Sequence, residues 1–180
     1  MINSMKRWYP KLRGMDLVIC GGGRVIPSPM IIRGVTAGRR HIFDRNISVH
    51  TGIVFECRGQ LLIAQMLTND GLSVDSMEDL VGKRKRFILG FRRASIFDDV
   101  GKREAAQDEL AYMWRQTLNY DFPGLFEFIN PKAKDRPGAY YCSELANHML
   151  FKYGWDGPEI FNIKVSPYDL QTCGGLMNLK

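Results

Sequence analysis

The alternation of apolar and polar positions is clearest between residues 48 and 67. "SVHTGIVFEC" and "QLLIAQML" are two β-favouring runs separated by Arg58-Gly59, a spacing that predicts a tight hairpin. A two-residue loop sets the register, so that Glu56 opposes Leu61, Val54 opposes Ile63, Gly52 opposes Gln65 and His50 opposes Leu67. Val49, Thr51, Ile53, Phe55 and Cys57 then share one face, which reads as core. His50, Gly52, Val54 and Glu56 share the other face with Gln65. Gln65 is diagonal to His50 at a spacing of ~7–8 Å, which long side chains bridge, and only a glycine stands opposite it. Glu56 lies six residues along the strand from His50, about 20 Å away and out of reach.

"MDLVIC" and "RFILGF" predict two more strands. "GKREAAQDELAYMWRQTLN" has the helical period, with Ala106, Leu110, Met113, Trp114 and Thr117 on one side and Asp98 or Asp99 near its start. "CSELANHMLFKYG" predicts a second helix, whose buried stripe is Cys142, Leu145, Ala146, Met149, Leu150 and Tyr153, with Gly154 as its stop. Cys142 therefore opens the stripe at the helix N-terminus, while His148 lies off it as a solvated or rim residue. The segments "CGGGRVIPSPMIIRGVTAGRR" and "YDFPGLFEFINPKAKDRPG" read as irregular, and "GGG" lacks the G-x-G-x-x-G spacing of a dinucleotide loop. "FNIKVSPYDLQTCGG" reads as a short strand and a turn.

Composition narrows the classes. The chain has 180 residues, 45% of them apolar and 11% aromatic, as expected of one packed domain over residues 1–180. Its four cysteines form no C-x-x-C pair, and its three histidines form neither H-x-H nor H-E-x-x-H, so no metal or cofactor is expected. No apolar run is long enough to span a bilayer, and the basic first residues lack the apolar centre of a signal peptide. The expected location is the cytoplasm, with reduced thiols. A net charge of +6, concentrated in "RGVTAGRRHIFDR" and "GKRKRFILGFRR", is compatible with an anionic surface as partner. No nucleic-acid-binding motif accompanies the charge, so nucleic acid is not an expected partner.

Three residues stand out chemically. A thiol at a helix start is biased toward thiolate, and its backbone N–H is placed as an oxyanion donor. A histidine is the usual base for such a thiol, and a side-chain amide can orient it, as in Cys-His-Asn arrangements. Cys142, His50 and Gln65 have these chemistries. Taken singly, each also has an ordinary structural reading: a core cysteine, a hydrogen-bonded histidine and a strand glutamine.

"SVHTGIV", "IAQML…GLSV", "YYCSELANHML" and "VSPYDL", in this order from about Met15 to Leu170, resemble the permuted NlpC-like branch of the papain-like thiol hydrolases. That branch includes the YiiX- and YaeF-type bacterial proteins, and circular permutation places its histidine and third polar residue before the cysteine. The resemblance implies an α+β, circularly permuted papain-like fold, with an antiparallel sheet against the helix that carries the nucleophile. It implies Cys142 as nucleophile, His50 as base and Gln65 as the residue orienting the base, where the family usually has glutamate. Ser143 and Glu144 take local structural roles such as capping. The implied activity is that of a cysteine peptidase or amidase, cleaving amide bonds through an acyl-enzyme, with cell-wall peptides (a peptidoglycan fragment) as substrate. A lipid acyl hydrolase or acyltransferase with the same dyad, and a catalytically silent binding module on this scaffold, are the alternatives.

Overall fold

The computed structural model describes residues 9–22, 44, 46–84, 86–116, 118–121, 139–157 and 165–179. Six strands, β1 (Leu17–Gly22), β2 (His50–Cys57), β3 (Gln60–Leu67), β4 (Gly71–Ser76), β5 (Arg86–Arg93) and β8 (Met177–Leu179), form one sheet in the order β4-β3-β2-β1-β5-β8. Each neighbouring pair is antiparallel. Between β5 and β8 the chain forms a short parallel pair, β6 (Asn119–Tyr120) and β7 (Ala139–Tyr140). The helices are α1 (Met77–Gly82), α2 (Val100–Arg115), α3 (Cys142–Lys152) and α4 (Pro167–Thr172), so the fold is α+β.

The hairpin has the predicted register from Cys57↔Gln60 to Ile53↔Ala64. Its loop is a turn with both central residues at positive φ, Arg58 at 50° and Gly59 at 75°. That geometry matches the right-handed twist of the strands, and it explains why glycine occupies the second position. Beyond Ile53 the β2–β3 ladder stops, although sequence alternation carries the pairing on to His50.

Both faces of the sheet are buried. Leu17, Ile19, Ile53, Phe55, Ala64 and Met66 pack against Leu145, Ala146, Met149 and Leu150 of α3 and Ala106, Leu110 and Met113 of α2. On the opposite face, Val18, Cys20, Val54, Ile63 and Phe91 pack against Met77 and Leu80 of α1 and against Leu12. His50 and Gln65 therefore sit within a second core.

α2 has the predicted cap, the Asp99 side chain accepting from the Lys102 N–H at 3.1 Å. Its buried stripe is narrower than the sequence reading: Trp114 is 45% exposed, and Thr117 lies outside the described residues. The α3 stripe is buried from Cys142 to Leu150, and Gly154, with φ of 90°, ends the helix as expected. The tail differs from the sequence reading. Residues 161–164 lie outside the described residues, and "SPYDLQT" is a helix. Ser166 caps α4 by accepting from the Asp169 N–H at 3.1 Å, and Pro167 fills the first helical position, where no N–H is needed.

Candidate active site

The end of β1 and the beginnings of β2 and β5 meet at one end of the sheet, where α3 also starts. Cys20 pairs with His50 and Gly22 pairs with Arg86, so these cross-strand neighbours are gathered there. The backbone just before His50 is held firmly. The Ser48 N–H donates to Gln171 Oε1 at 2.7 Å, and the Ser48 hydroxyl lies 3.2 Å from the Cys20 carbonyl and 3.1 Å from that of His50. α4 thus braces the strand that carries the imidazole.

The structure joins His50 and Gln65 directly, with His50 Nε2 2.7 Å from Gln65 Oε1. Both side chains are buried, at 3% and 1% exposure. Gln65 Nε2 in turn donates to Asp75 Oδ2 at 2.6 Å, and Arg84 Nε donates to the same oxygen at 3.1 Å. Arg84 also reaches Asp70 at 3.1 Å. The chain of contacts is His50–Gln65–Asp75–Arg84–Asp70, running outward from core to surface.

This chain sets the histidine tautomer. A carboxylate only accepts, so Asp75 requires the NH₂ end of the Gln65 amide. The amide oxygen must then face His50 Nε2, which therefore carries the ring hydrogen. Nδ1 is left with its lone pair, the state a base needs.

Cys142 is the first residue of α3, a helix that packs on β2, and the backbone N–H groups of Thr51, Ser143 and Cys142 itself favour its thiolate. Thr51 follows His50 and lies past the point where β3 leaves β2. The head of α3 is thus brought to the strand that carries the imidazole. Ser143 does not cap; its hydroxyl donates to the Val165 carbonyl at 2.8 Å and ties α3 to the segment before α4. Glu144 does cap, accepting from the Tyr141 N–H at 3.1 Å.

Burial opposes these donors. Cys142 is only 6% exposed, and burial pushes its thiol above the ordinary cysteine value, although the Thr51 N–H and the Arg86 charge act the other way. The expectation of a thiolate favoured by the helix start is corrected accordingly. Burial and the Arg86 charge hold His50 well below the ordinary histidine value. Both groups are neutral in the resting protein at neutral pH.

The sequence reading missed Asp75, Arg84 and Arg86. Asp75 follows the apolar run "GLSV", and its register opposite Ile63 puts it on the face of Gln65. A strand assigned to residues 71–76 would have found it. His148 stays at the rim, 35% exposed, with Glu109 3.9 Å away. Among the described residues no group of three or more His, Cys, Asp or Glu side chains is arranged to hold a metal, and no helix is long and apolar enough to cross a membrane.

No protein-family model and no curated protein matches the chain. Among solved structures it is similar to the crystal structure of metalloprotein YiiX from Escherichia coli O157:H7, a DUF1105 protein. The two are 13% identical with a TM-score of 0.59, and the match covers 93% of this chain and 96% of that one. The chain has a YiiX-like α+β fold.

Proposed function

We propose that this protein is a cysteine hydrolase in which Cys142 attacks an amide carbonyl, His50 takes the thiol proton through Nδ1, and Gln65 holds the imidazole. The observation that carries the reading is a buried histidine whose tautomer is set by the Gln65–Asp75 relay, on the strand against which the helix headed by Cys142 packs. The resemblance to the permuted papain-like branch supports the same assignment. Two neutral partners give a mechanism in which proton transfer accompanies attack, without a standing thiolate–imidazolium pair.

The steps follow. Sγ bonds to the carbonyl carbon as its proton passes to Nδ1, and the Cys142 N–H faces the developing oxyanion. The C–N bond then breaks and the leaving amine takes that proton. Water, activated by the same nitrogen, releases the acid and restores the thiol. Gln65 cannot share the imidazolium charge as a glutamate would, but Asp75, one hydrogen bond further out, supplies a negative charge to the relay.

A cell-wall peptide is the substrate this reading favours. YiiX is a metalloprotein, but the donor residues described in this chain do not converge as a metal would require, and no step is routed through one. The test is a burst of nitrophenol from p-nitrophenyl acetate, with acetyl mapped to Cys142 by mass spectrometry. The burst is expected in the wild type, absent in Cys142→Ala and strongly slowed in His50→Ala. A wild type with neither burst nor acetylated Cys142 would end the hydrolase reading and favour a silent binding module.

A further inference from the structure

"VSPYDLQT", residues 165–172, supplies no reacting group to the proposed site, yet both of its ends are bonded to residues beside it. At the front, the buried Ser143 hydroxyl donates to the Val165 carbonyl at 2.8 Å, and Ser143 is the next residue after Cys142. At the back, the Gln171 amide grips the chain that leads into His50. Its Oε1 accepts from the Ser48 N–H and its Nε2 donates to the Asn46 carbonyl, both at 2.7 Å. Ser48, fully buried two residues before His50, carries that hold onward through its hydroxyl, 3.1 Å from the His50 carbonyl.

Between these two grips α4 is closed on itself. Ser166 and Asp169 form a reciprocal capping box, Pro167 fixes the first turn, and Leu170 is wholly buried in the core that α3 covers. Arg92 of β5 donates to the carbonyls of Gln171 and Leu176, which pins the far end to the sheet. A helix of six residues rises about 9 Å, so α4 is a short spacer between its two attachment points.

Apolar packing of α3 on β2 does not by itself fix the geometry of the dyad. That packing is non-directional, whereas proton transfer from Cys142 to His50 needs hydrogen-bond geometry. A displacement of ~1 Å at such a pair costs on the order of 100-fold in rate. The polar bonds at the two ends of α4 are directional, and they hold the residues that flank the thiol and the imidazole.

We infer that α4 is a positioning strut, with Ser143 and Gln171 as the positioning residues that together hold the Cys142 thiol and the His50 imidazole in register. This inference rests on the thiol-hydrolase reading and adds the part of the fold that sets the geometry of its dyad. The Ser143 side chain acts through Val165 and the Gln171 side chain through Ser48. These attachment points lie at opposite ends of α4, so coupling between them runs through the helix.

A double-mutant cycle tests the strut. Ser143→Ala and Gln171→Met remove the end bonds and nearly keep the side-chain volumes. The acyl burst from p-nitrophenyl acetate is measured against ester concentration, on the folded fraction fixed by urea melts. Each single variant should acylate Cys142 about tenfold more slowly, with the apparent affinity for the ester unchanged. The double variant should also be slower by about tenfold rather than about 100-fold, because a strut freed at one end holds nothing at the other. The long-range ¹H–¹⁵N spectrum of His50 should keep the Nε2–H form in all three, since the Gln65–Asp75 relay is intact. If Gln171→Met does not fold, Gln171→Glu takes its place; it keeps the acceptor for Ser48 and loses only the donation to Asn46. Losses that multiply in the double variant overturn the strut in favour of two separate local contacts. Folded variants that acylate at the wild-type rate overturn it as well, and leave the hydrolase reading standing. A His50 ring that changes tautomer also overturns it, since the loss then runs through the relay. A wild type with neither burst nor acetylated Cys142 removes the hydrolase reading and this inference with it.

Discussion

Removing the Asp75 carboxylate should unlock the histidine tautomer without touching the histidine. In the folded protein the Gln65 amide has two orientations that differ by a half-turn. One puts oxygen on His50 Nε2 and NH₂ on Asp75 at 2.6 Å; the other faces oxygen to oxygen at the carboxylate. A hydrogen bond to a charged group contributes ~1.5–3 kcal/mol, and that is the bias lost in Asp75→Ala. With no acceptor in place, the amide can turn its NH₂ toward His50, which moves the ring hydrogen to Nδ1 and abolishes the base. The expected cost is about 10- to 100-fold in kcat on an activated ester, with little change in KM. Asp75→Asn should recover most of this loss, since an amide oxygen can take the place of Oδ2 and accept from both Gln65 and Arg84.

The direct readout is the long-range ¹H–¹⁵N correlation spectrum of His50, which distinguishes an Nε2–H from an Nδ1–H ring and does not depend on turnover. Wild type and Asp75→Asn should show the Nε2–H form, and Asp75→Ala a mixture. A wild-type Nδ1–H ring, or an Asp75→Ala spectrum identical to wild type with full activity, would refute the relay.

Three further expectations follow from the same contacts. His50 takes its proton near 6.5 in the unfolded chain but well below that when folded, so the unfolded chain holds more protons between those values. Stability should therefore fall as pH drops below about 6.5, by at most about 1.4 kcal/mol per pH unit, and level off once the folded imidazole protonates; urea melts of wild type against His50→Gln isolate the effect. Asp16, 1% exposed, meets Arg93 through both carboxylate oxygens at 2.7 Å, so Asp16→Ala should lower stability by ~3–5 kcal/mol in urea melts while leaving the rate of Cys142 alkylation by iodoacetamide unchanged in the folded fraction. Gln65→Glu would set a second carboxylate against Asp75 where a 2.6 Å donor bond now stands, and should lower the melting temperature rather than improve catalysis, an effect that Asp75→Asn in the same chain should relieve.

The parts of the fold legible in the sequence are those set by local rules. Arg58-Gly59 fixed the hairpin, alternation fixed its register from Cys57 inward, and the apolar period of "CSELANHML" placed Cys142 at the head of a helix. The diagonal from Gln65 to His50 was legible for the same reason. Its outer half was not, because Asp75 belongs to a half-buried strand, "GLSVDS", with weak alternation, and its partner Arg84 looks in sequence like one more charge in a basic run. The direction of the Cys142 shift was also hidden. A helix start lowers a thiol's pKa, but how far the sulfur is buried depends on packing among α3, β2 and the rest of the core, which no local pattern encodes.

The position of the negative charge governs the electrostatics around Gln65. A glutamate at position 65 would lie on a face buried by Val54, Ile63 and α1, where an ionised group with one hydrogen bond to a neutral ring is poorly compensated. Glutamine avoids that cost, and Asp75 carries the charge where Arg84 can neutralise it, 14% exposed and nearer solvent. The amide transmits orientation inward without bringing the charge with it. Under the proposed hydrolase reading, the relay then sets the orientation of the imidazole more than it offsets an imidazolium charge.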